Sequence, residues 1–363
     1  MKAEEITKRR AKWSVAAQHL ADADTPIIRN CWYALCRSAD LGRTLAARTV
    51  AGVSVVHFRK EDGTPAALHN RCCHRSYPLD RGSLDGDTIV CGYHGLRYNA
   101  CGQCVDIPHQ DMPKTKFGVR DYPVIERAPF IWIWMGDADK ADPGLIPHQY
   151  WLDDPDWTTD IGYFEVRGSY VHLHENLLDL SHLSYLHAAT FGTPEYAAAP
   201  CDIVIENDNI EVWRSVECVL PDVYAKPLGW VGAKARRKSG SQLVSPALHV
   251  NTGIFENLDA PRTPNDPPMV KVAQVITPID NRNTHYHYSI SRNFAVEDET
   301  VTQHITAGVT SAFKEDLAAL EGVAEMHAQE RPDEFFEIDI PTDRAGLEMR
   351  RRFKRWADAE IAA

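Results

Sequence analysis

The chain has 363 residues, 44% hydrophobic and 25% charged, which is the composition of an ordinary globular protein long enough for two domains. Its formal net charge of -12 does not favour a nucleic acid or an anionic membrane as partner. No stretch approaches the roughly 18 apolar residues that cross a bilayer, and the first residues lack the apolar core of a secretory signal. We therefore expect a cytoplasmic protein, in which the nine cysteines serve as metal ligands or buried apolar residues rather than disulfides.

The first third of the chain is predicted to be β-rich and to follow a short N-terminal extension. The extension covers residues 1–28, and within it residues 3–20 have the pattern of an amphipathic helix. Beyond it, short apolar runs alternate with Gly, Asp and Pro, as in strands joined by turns. The clearest of these runs are Trp32–Cys36, Val53–Phe58, Thr88–Val90 and Phe130–Met135.

A polar, turn-rich segment at 137–149 predicts the boundary between a first domain, 29–138, and a second domain, 139–363. The second domain is predicted to be mixed, with helical patterns at 175–188 and 298–328. Its predicted extended segments are 161–174, 202–220, 246–256, 269–278 and 284–294.

One segment of the second domain, 226–240, is basic and glycine-containing and shows no clear period. We interpret it as a mobile loop. Such a loop would act as a lid, or its basic residues would meet an acidic ferredoxin.

Two Cys–His pairs in the first domain predict an iron–sulfur cluster. Cys72-x-His74 is followed, after the sixteen residues 75–90, by Cys91-x-x-His94. A Rieske [2Fe–2S] centre places two thiolates on one iron and two imidazoles on the other, which raises its reduction potential. Two loops that each carry one Cys and one His match this requirement.

Two alternatives accompany this interpretation. Four such ligands could instead bind zinc, although zinc sites more often group their cysteines together. Cys73 could replace Cys72, but it would crowd the adjacent His74, so we prefer Cys72. The pair Cys101 and Cys104 lacks partners for a second metal site, and we assign it no role.

A second constellation, Asn176-x-x-Asp179-x-x-His182-x-x-x-x-His187, predicts a mononuclear iron site. Two histidines and a distant carboxylate form the facial triad that holds Fe(II) with open positions. Residues five apart lie about 140° apart on a regular α-helix, which is a poor arrangement for ligands of one ion. We therefore predict a break, bend or π-type widening between His182 and His187.

The third iron ligand has to come from elsewhere in the chain. We choose Asp316, which lies within the long C-terminal helical pattern, and its neighbour Glu315 is the alternative. Both would otherwise be read as solvated helix carboxylates.

From about Arg29 to Phe353 the chain resembles the Rieske non-haem iron oxygenases. It is most similar to the branch that includes vanillate demethylase, dicamba demethylase and toluenesulfonate methyl-monooxygenase. The stretches that carry the resemblance are Asn30–Tyr33, Arg71–Arg75, Cys91–Leu96, Phe130–Gly136, Asn176–His182, Arg292–Phe294 and Lys314–Asp316.

The resemblance implies an α+β fold, in which an N-terminal β Rieske domain precedes a helix-grip catalytic domain with a curved antiparallel sheet on a long helix. It also implies two sets of ligands. Those of the cluster would be Cys72, His74, Cys91 and His94, and those of Fe(II) would be His182, His187 and Asp316.

The family also implies an assembly. Asp179 would bond His182 of its own chain and His94 of a neighbouring chain, so that electrons cross between subunits of a homotrimer. Asn176 would lie near the iron as a polar group.

The activity implied is hydroxylation of an alkyl group on an aromatic substrate, driven by O2 and by electrons from a ferredoxin or a flavin-dependent reductase. Hydroxylation of a carbon bonded to O or N would end in dealkylation. Ring hydroxylation, ring dihydroxylation and methyl hydroxylation of an anionic arene are the alternatives. Competing classes are a Rieske electron carrier and a structural zinc protein.

The substrate pocket is expected to use residues 245–253 and 284–294. The stretch 239–261 contains no Lys or Arg, and a site for a carboxylate or sulfonate usually supplies a charged donor. We therefore predict a neutral, lipophilic aromatic substrate, with His249 and Asn251 as its polar contacts.

Overall fold

The structure is a computed structural model that describes residues 19–112, 115–207, 209–260, 267–329 and 337–362. It divides into two compact units. The smaller unit comprises Ile27–Ile146 and Thr277–Asp280, and the larger comprises Pro147–Ile276, Asn281–Ala363 and the chain up to Pro26. Nearly all of the helix predicted at 3–20 lies outside the described residues.

The smaller unit is built from ten short strands. In chain order they are β1 (Trp32–Arg37), β2 (Ala46–Val50), β3 (Val53–Arg59), β4 (Pro65–His69), β5 (Ser83–Asp85), β6 (Thr88–Val90), β7 (Arg97–Tyr98), β8 (Cys104–Asp106), β9 (Val124–Arg127) and β10 (Phe130–Trp134). They form three antiparallel sheets, ordered β1-β10-β9, β2-β3-β4 and β5-β6-β7-β8.

The four apolar runs predicted as strands coincide with β1, β3, β6 and β10. Strand β10 is buried along its whole length, and Trp32 of β1 pairs with Trp134 across the sheet. Their indole rings meet edge-on with centroids 5.5 Å apart. Aromatic and β-branched side chains of this kind favour strands because they pack on a pleated surface.

The larger unit contains one antiparallel sheet of seven strands. They are β11 (Thr158–Val166), β12 (Asp202–Glu206), β13 (Asn209–Val219), β14 (Lys234–Ser245), β15 (Leu248–Asn257), β16 (Met269–Pro278) and β17 (Thr284–Arg292). Their order across the sheet is β11-β17-β16-β15-β14-β13-β12. The α+β class predicted for the chain is confirmed by this sheet together with the helices of the unit.

The helices of the larger unit are α1 (Tyr170–Leu178), α2 (Pro194–Ala198), α3 (Asp222–Leu228), α4 (Glu299–Gln329) and α5 (Arg344–Ala362). The long helix α4 matches the pattern predicted at 298–328. Its Phe313 packs edge-on against Tyr286 and Tyr288 of β17, with centroids 5.5 and 5.1 Å apart. Among the described residues, no helix combines the length and the apolar character needed to cross a membrane.

Two predicted boundaries in the larger unit are wrong. The segment expected to be extended to residue 174 leaves the sheet at Val166, and α1 begins at Tyr170. Ser169 caps this helix, because its hydroxyl accepts a hydrogen bond from the N–H of Val171. The helix predicted at 175–188 therefore starts five residues earlier and ends at Leu178.

The prediction of a loop at 226–240 is also wrong. Its first residues complete α3, and from Lys234 onward it is strand β14, hydrogen bonded to β13 and β15. Burial alternates along β14, with Ala235, Arg237 and Ser239 on the inner face. The alternation is hidden in the sequence because two of these three inward residues are polar.

Candidate metal centres

The two Cys–His pairs of the smaller unit lie on two loops with the same backbone pattern. The N–H of Cys72 donates to the carbonyl of Tyr77, and the N–H of Cys91 donates to the carbonyl of Leu96, at 2.9 and 2.8 Å. The residue four places after each cysteine, Ser76 or Gly95, has a positive φ of 58° or 75°. At Gly95 a side chain would also meet Pro108, since a Cβ would lie 2.8 Å from its Cγ. The two loops therefore present their ligands in matching ways.

The candidate sulfur ligands and the candidate imidazole ligands differ in their burial. Cys72 and Cys91 are buried, at 3% and 2% exposure, whereas His74 and His94 are exposed. The two imidazole rings lie next to each other, with centroids 4.7 Å apart. This arrangement fits a cluster with an inner iron held by two thiolates and an outer iron held by two histidines.

The surroundings of the sulfur atoms combine burial, which disfavours a free thiolate, with hydrogen-bond donors, which favour it. Burial raises the pKa of the Cys91 thiol, and the nearby Cys72 sulfur raises it further, whereas the N–H groups of Tyr93 and His94 lower it. The hydroxyl of Tyr98 lies 3.0 Å from Cys72 Sγ and 3.2 Å from Cys73 Sγ. Burial beside these sulfurs raises the pKa of Tyr98, so its hydroxyl stays protonated and able to donate. Hydrogen bonds to sulfur are one means of tuning a cluster's potential.

In the larger unit, His182, His187 and Asp316 come together. Their potential ligand atoms all lie within 4.8 Å of one another. Asp316 Oδ1 is 3.5 Å from His182 Nε2 and 3.2 Å from His187 Nε2. Two imidazoles and one carboxylate, mostly buried, fit a divalent iron with open positions.

The break predicted between the two histidines is confirmed. Helix α1 ends at Leu178, and Asp179 already has extended backbone angles. A short 3-10 turn, His182–Ser184, follows, and His187 lies beyond it outside any regular helix. The imidazole centroids of His182 and His187 are consequently only 5.0 Å apart.

Glu315, which sequence reasoning weighed only as a rival to Asp316, has its own place in the site. Its Oε2 lies 2.6 Å from His187 Nδ1, on the opposite side of the ring from Asp316. Burial acts to lower the pKa of His187, but the bonds and charges of Asp316 and Glu315 outweigh it and raise the pKa above its ordinary value. Burial lowers the pKa of His182. A neutral imidazole is the form that binds a metal.

Asn176 and Asp179 lie beside the triad in different ways. The side-chain amide of Asn176 donates to Asp316 Oδ1 at 3.2 Å, while its buried Oδ1 has no partner among the described residues. The carboxylate of Asp179 accepts from the N–H of Ser181 at 2.7 Å. Within the described chain it makes no hydrogen bond to the His182 ring, so the contact predicted between these two side chains is absent.

The triad lies in the wall of a cavity whose roughly 740 Å³ of non-atom space includes open solvent. Much of the wall is apolar, including Leu177, Leu183, Phe191, Val270, Val272 and Phe313. A substrate in this cavity would therefore be surrounded mainly by apolar side chains and would face His182, His187 and Asp316.

Of the two predicted substrate contacts, the structure brings only Asn251 to the cavity. His249 is fully buried behind the wall, where its Nε2 lies 2.6 Å from the hydroxyl of Ser241. Asn251 donates to the same hydroxyl at 3.0 Å. Residues 284–294, also predicted to line the pocket, do not line this cavity.

The cavity contains a cation that the sequence interpretation missed. Arg237 of β14 is part of the wall, two positions before the stretch searched for Lys and Arg. The premise of a pocket without a charged donor, on which the prediction of a neutral substrate depended, is therefore wrong. The sequence carries no hydrophobic alternation that could have located it, because the inward residues of β14 include arginine and serine.

Two family models match the chain in these regions. The Rieske [2Fe–2S] domain matches residues 31–123, and the vanillate O-demethylase oxygenase C-terminal domain matches residues 166–359. The first match contains both Cys–His pairs, and the second contains the triad.

Individual relatives agree with the models. The chain is 36% identical over 312 residues to the iron–sulfur subunit of a toluene-4-sulfonate monooxygenase system from Comamonas testosteroni, covering 83% of this chain and 89% of that protein. It is 30% identical to the oxygenase component of a chloroacetanilide N-alkylformylase from Rhizorhabdus wittichii, covering 92% and 96%. A crystal structure of dicamba monooxygenase with non-haem iron and dicamba superposes with a TM-score of 0.79 at 26% identity, covering 93% of this chain and 99% of that one.

Proposed function

This chain belongs to the Rieske non-haem iron oxygenases, and from that premise we propose that it hydroxylates an alkyl substituent of an aromatic substrate. It is the oxygenase component of a multicomponent system, with a Rieske [2Fe–2S] cluster and a mononuclear iron as its cofactors. One oxygen atom of O2 enters a C–H bond, and two electrons and two protons convert the other to water. If the carbon is bonded to O or N, the product collapses to an aldehyde and a dealkylated arene.

We assign the ligands as follows. Cys72 and Cys91 hold one iron of the cluster, and His74 and His94 hold the other. His182, His187 and Asp316 hold Fe(II). When bound, the cluster supplies single electrons and Fe(II) supplies the centre at which O2 is reduced.

The remaining residues of the site orient these ligands. Glu315 accepts a hydrogen bond from Nδ1–H of His187 and so orients Nε2 toward Asp316. Asn176 holds Asp316 through its amide. The apolar wall limits water around the reacting carbon and places an aromatic ring against Phe191, whose ring lies 6.3 Å from that of His187.

The assembly and the partners belong to the same proposal. We infer a homotrimer in the cytoplasm, in which the Asp179 carboxylate meets His94 of a neighbouring chain while the backbone of Asp179 accepts a hydrogen bond from the ring of His182. Electrons come from NAD(P)H through a flavin-dependent reductase, directly or through a ferredoxin. The division into a cluster domain, 29–138, and a catalytic domain, 139–363, is likewise proposed.

One observation supports the function above all. A His-His-Asp triad converges within 4.8 Å at the wall of an apolar cavity, which a simple electron carrier or a structural zinc protein would not need. We therefore expect the oxygen atom of the product to come from O2.

The test is product analysis with isotopically labelled O2, NADH and a surrogate reductase. The wild type should show the spectrum of a Rieske cluster and should incorporate one labelled atom per turnover. Asp316→Ala should lose the mononuclear iron and the turnover but keep the cluster spectrum. A colourless protein that contains zinc, or product oxygen derived from water, would contradict the function. Two labelled atoms on the ring would instead indicate dihydroxylation.

A further inference from the structure

The wall of the cavity contains a buried guanidinium. Arg237 is 2% exposed and lies on the inner face of β14, between Arg236 and Lys238, which are both exposed. It lines the same cavity as the His-His-Asp triad. Burying a cation removes its hydration, which is costly unless another group compensates the charge.

The groups that surround Arg237 compensate it only in part. Its Nη1 donates to the carbonyl of Phe191 at 2.7 Å, and its Nε donates to the hydroxyl of Ser239 at 3.1 Å. The ring of Tyr196 lies 4.5 Å from the guanidinium carbon, and that of Tyr224 lies 5.6 Å away. All of these partners are neutral. Within the described chain, Arg237 has no carboxylate partner and its Nη2 has no acceptor.

Arg292 shows how a purely structural arginine of this unit is satisfied. It is almost as buried, at 4%, and its three guanidinium nitrogens all donate, to carbonyls and to the hydroxyl of Thr302. Arg237 differs because one amino group is left over and because its side chain borders an open cavity. A second guanidinium, that of Arg214, lies 5.2 Å from the Tyr196 ring and adds positive charge to this region.

Phe191 connects the cation to the triad. Its carbonyl accepts the bond from Arg237, and its ring meets the ring of His187 edge-on at 6.3 Å. The ring of Tyr224 lies 5.5 Å from that of Phe191. This one cavity is therefore lined by the guanidinium of Arg237, by the rings of Tyr224 and Phe191, and by the His-His-Asp triad.

We propose that this cavity binds an aryl anion, a carboxylate or sulfonate, whose charged group pairs with Arg237 while the alkyl group points to the triad. The inference rests on the proposed function and deepens it by naming the class of substrate. The substrate's anion is then the counter-ion that Arg237 lacks within the chain, and its oxygens accept from Nη2. Planar, charge-assisted recognition of this kind is typical of arginine.

The test measures binding to the holoenzyme by calorimetry without O2, so that no turnover occurs. The probes are two matched pairs, 4-methylbenzoate with 4-methylbenzamide and 4-methylbenzenesulfonate with its sulfonamide. We expect the wild type to bind at least one anion about 10- to 100-fold more tightly than its amide, as for a charge-assisted hydrogen bond. Neither anion binding more tightly than its amide, or neither binding at all, would overturn the proposal.

Three variants test whether Arg237 causes the preference for the anion over its amide. Arg237→Gln should bring the anion-to-amide ratio close to one, and Arg237→Lys should keep part of the preference because the charge remains. Arg236→Gln is the control, because its side chain points away from the cavity and pairs with Glu217 and Glu256. Since the ratio compares two ligands on one protein, a reduced folded fraction does not distort it. A wild-type ratio in the folded Arg237 variants would overturn the assignment.

Turnover separates this inference from the function itself. If the anion binds through Arg237 but is not oxidised, the proposed function is refuted and the assignment of Arg237 as the anion-binding residue is supported. If neutral arenes are oxidised and anions are not bound, the function is supported and the assignment of Arg237 is refuted.

Discussion

At the scale of single residues, His187 is the group with the most constrained surroundings. It is 3% exposed and lies between two carboxylates of α4 that are adjacent in sequence, Glu315 at Nδ1 and Asp316 at Nε2. The carboxylate on the far nitrogen decides which tautomer is present and which nitrogen is available to a metal. Two neighbouring acidic residues, which seemed alternatives, therefore have separate tasks in the proposed site.

We predict that Glu315→Ala weakens binding of the mononuclear iron by about 10- to 100-fold, the usual effect of removing such a partner. Glu315→Gln should weaken it less, because an amide oxygen still accepts from Nδ1–H. Competition with an iron chelator measures the affinity, and the cluster spectrum should not change. The control is Glu325→Gln, an exposed position on the same helix. Equal iron affinity in Glu315→Ala and the control would refute the positioning role.

At the scale of elements, the end of α1 determines where the proposed iron ligands His182 and His187 lie. Asp179 closes the helix with extended backbone angles, and its carboxylate is held by the N–H of Ser181. The chain then makes the short turn that brings His182 and His187 together. A continuous helix would have separated the two rings by about 140° around its axis.

We predict that Asp179→Asn lowers turnover by about 10- to 100-fold without loss of iron, of the cluster or of the fold, because the amide oxygen can still accept from Ser181 while the negative charge is lost. Turnover with a surrogate reductase and metal analysis of the same sample provide the measurement. Asp202→Asn, an exposed change on β12, serves as the control. A native mass of one 40.8 kDa chain would argue against the trimer in which Asp179 is proposed to act.

At the scale of the whole molecule, both units contain buried neutral histidines. Burial lowers the pKa of His57 in the smaller unit to about 4, and it does the same to His174 in the larger unit. In the unfolded chain a histidine titrates near about 6.5. The unfolded state therefore binds more protons between these two values, and the free energy of unfolding falls as the pH falls through that window.

We predict that acidification from about pH 6.5 to pH 4 destabilises the protein, each such histidine contributing on the order of 3 kcal/mol. His174→Gln should make the dependence of unfolding on pH less steep, whatever its effect on stability near pH 7. Denaturant unfolding at several pH values measures the slope. His148→Gln, at an exposed site, should leave the slope unchanged. A His174→Gln slope equal to that of the wild type would show that this residue is not the neutral buried group described.

What the sequence by itself determined was local. The members of each Cys–His pair, and the two histidines of the second motif, are separated by two to five positions, so their spacing already restricted the chemistry and predicted the break between His182 and His187. Strands with apolar inward residues, such as β10, could also be recognised, because their composition reflects their burial.

Only the tertiary structure decided which distant residues complete the sites. Asp316 and Glu315 reach His187 across more than a hundred positions, and nothing in a helical pattern distinguishes an inward carboxylate from a solvated one. Arg237 was missed because the inner face of β14 has arginine and serine where a buried strand usually has apolar residues. A residue's partners across a sheet or a cavity are set by packing. When the buried face of a strand is polar, the sequence shows no hydrophobic alternation that would reveal it.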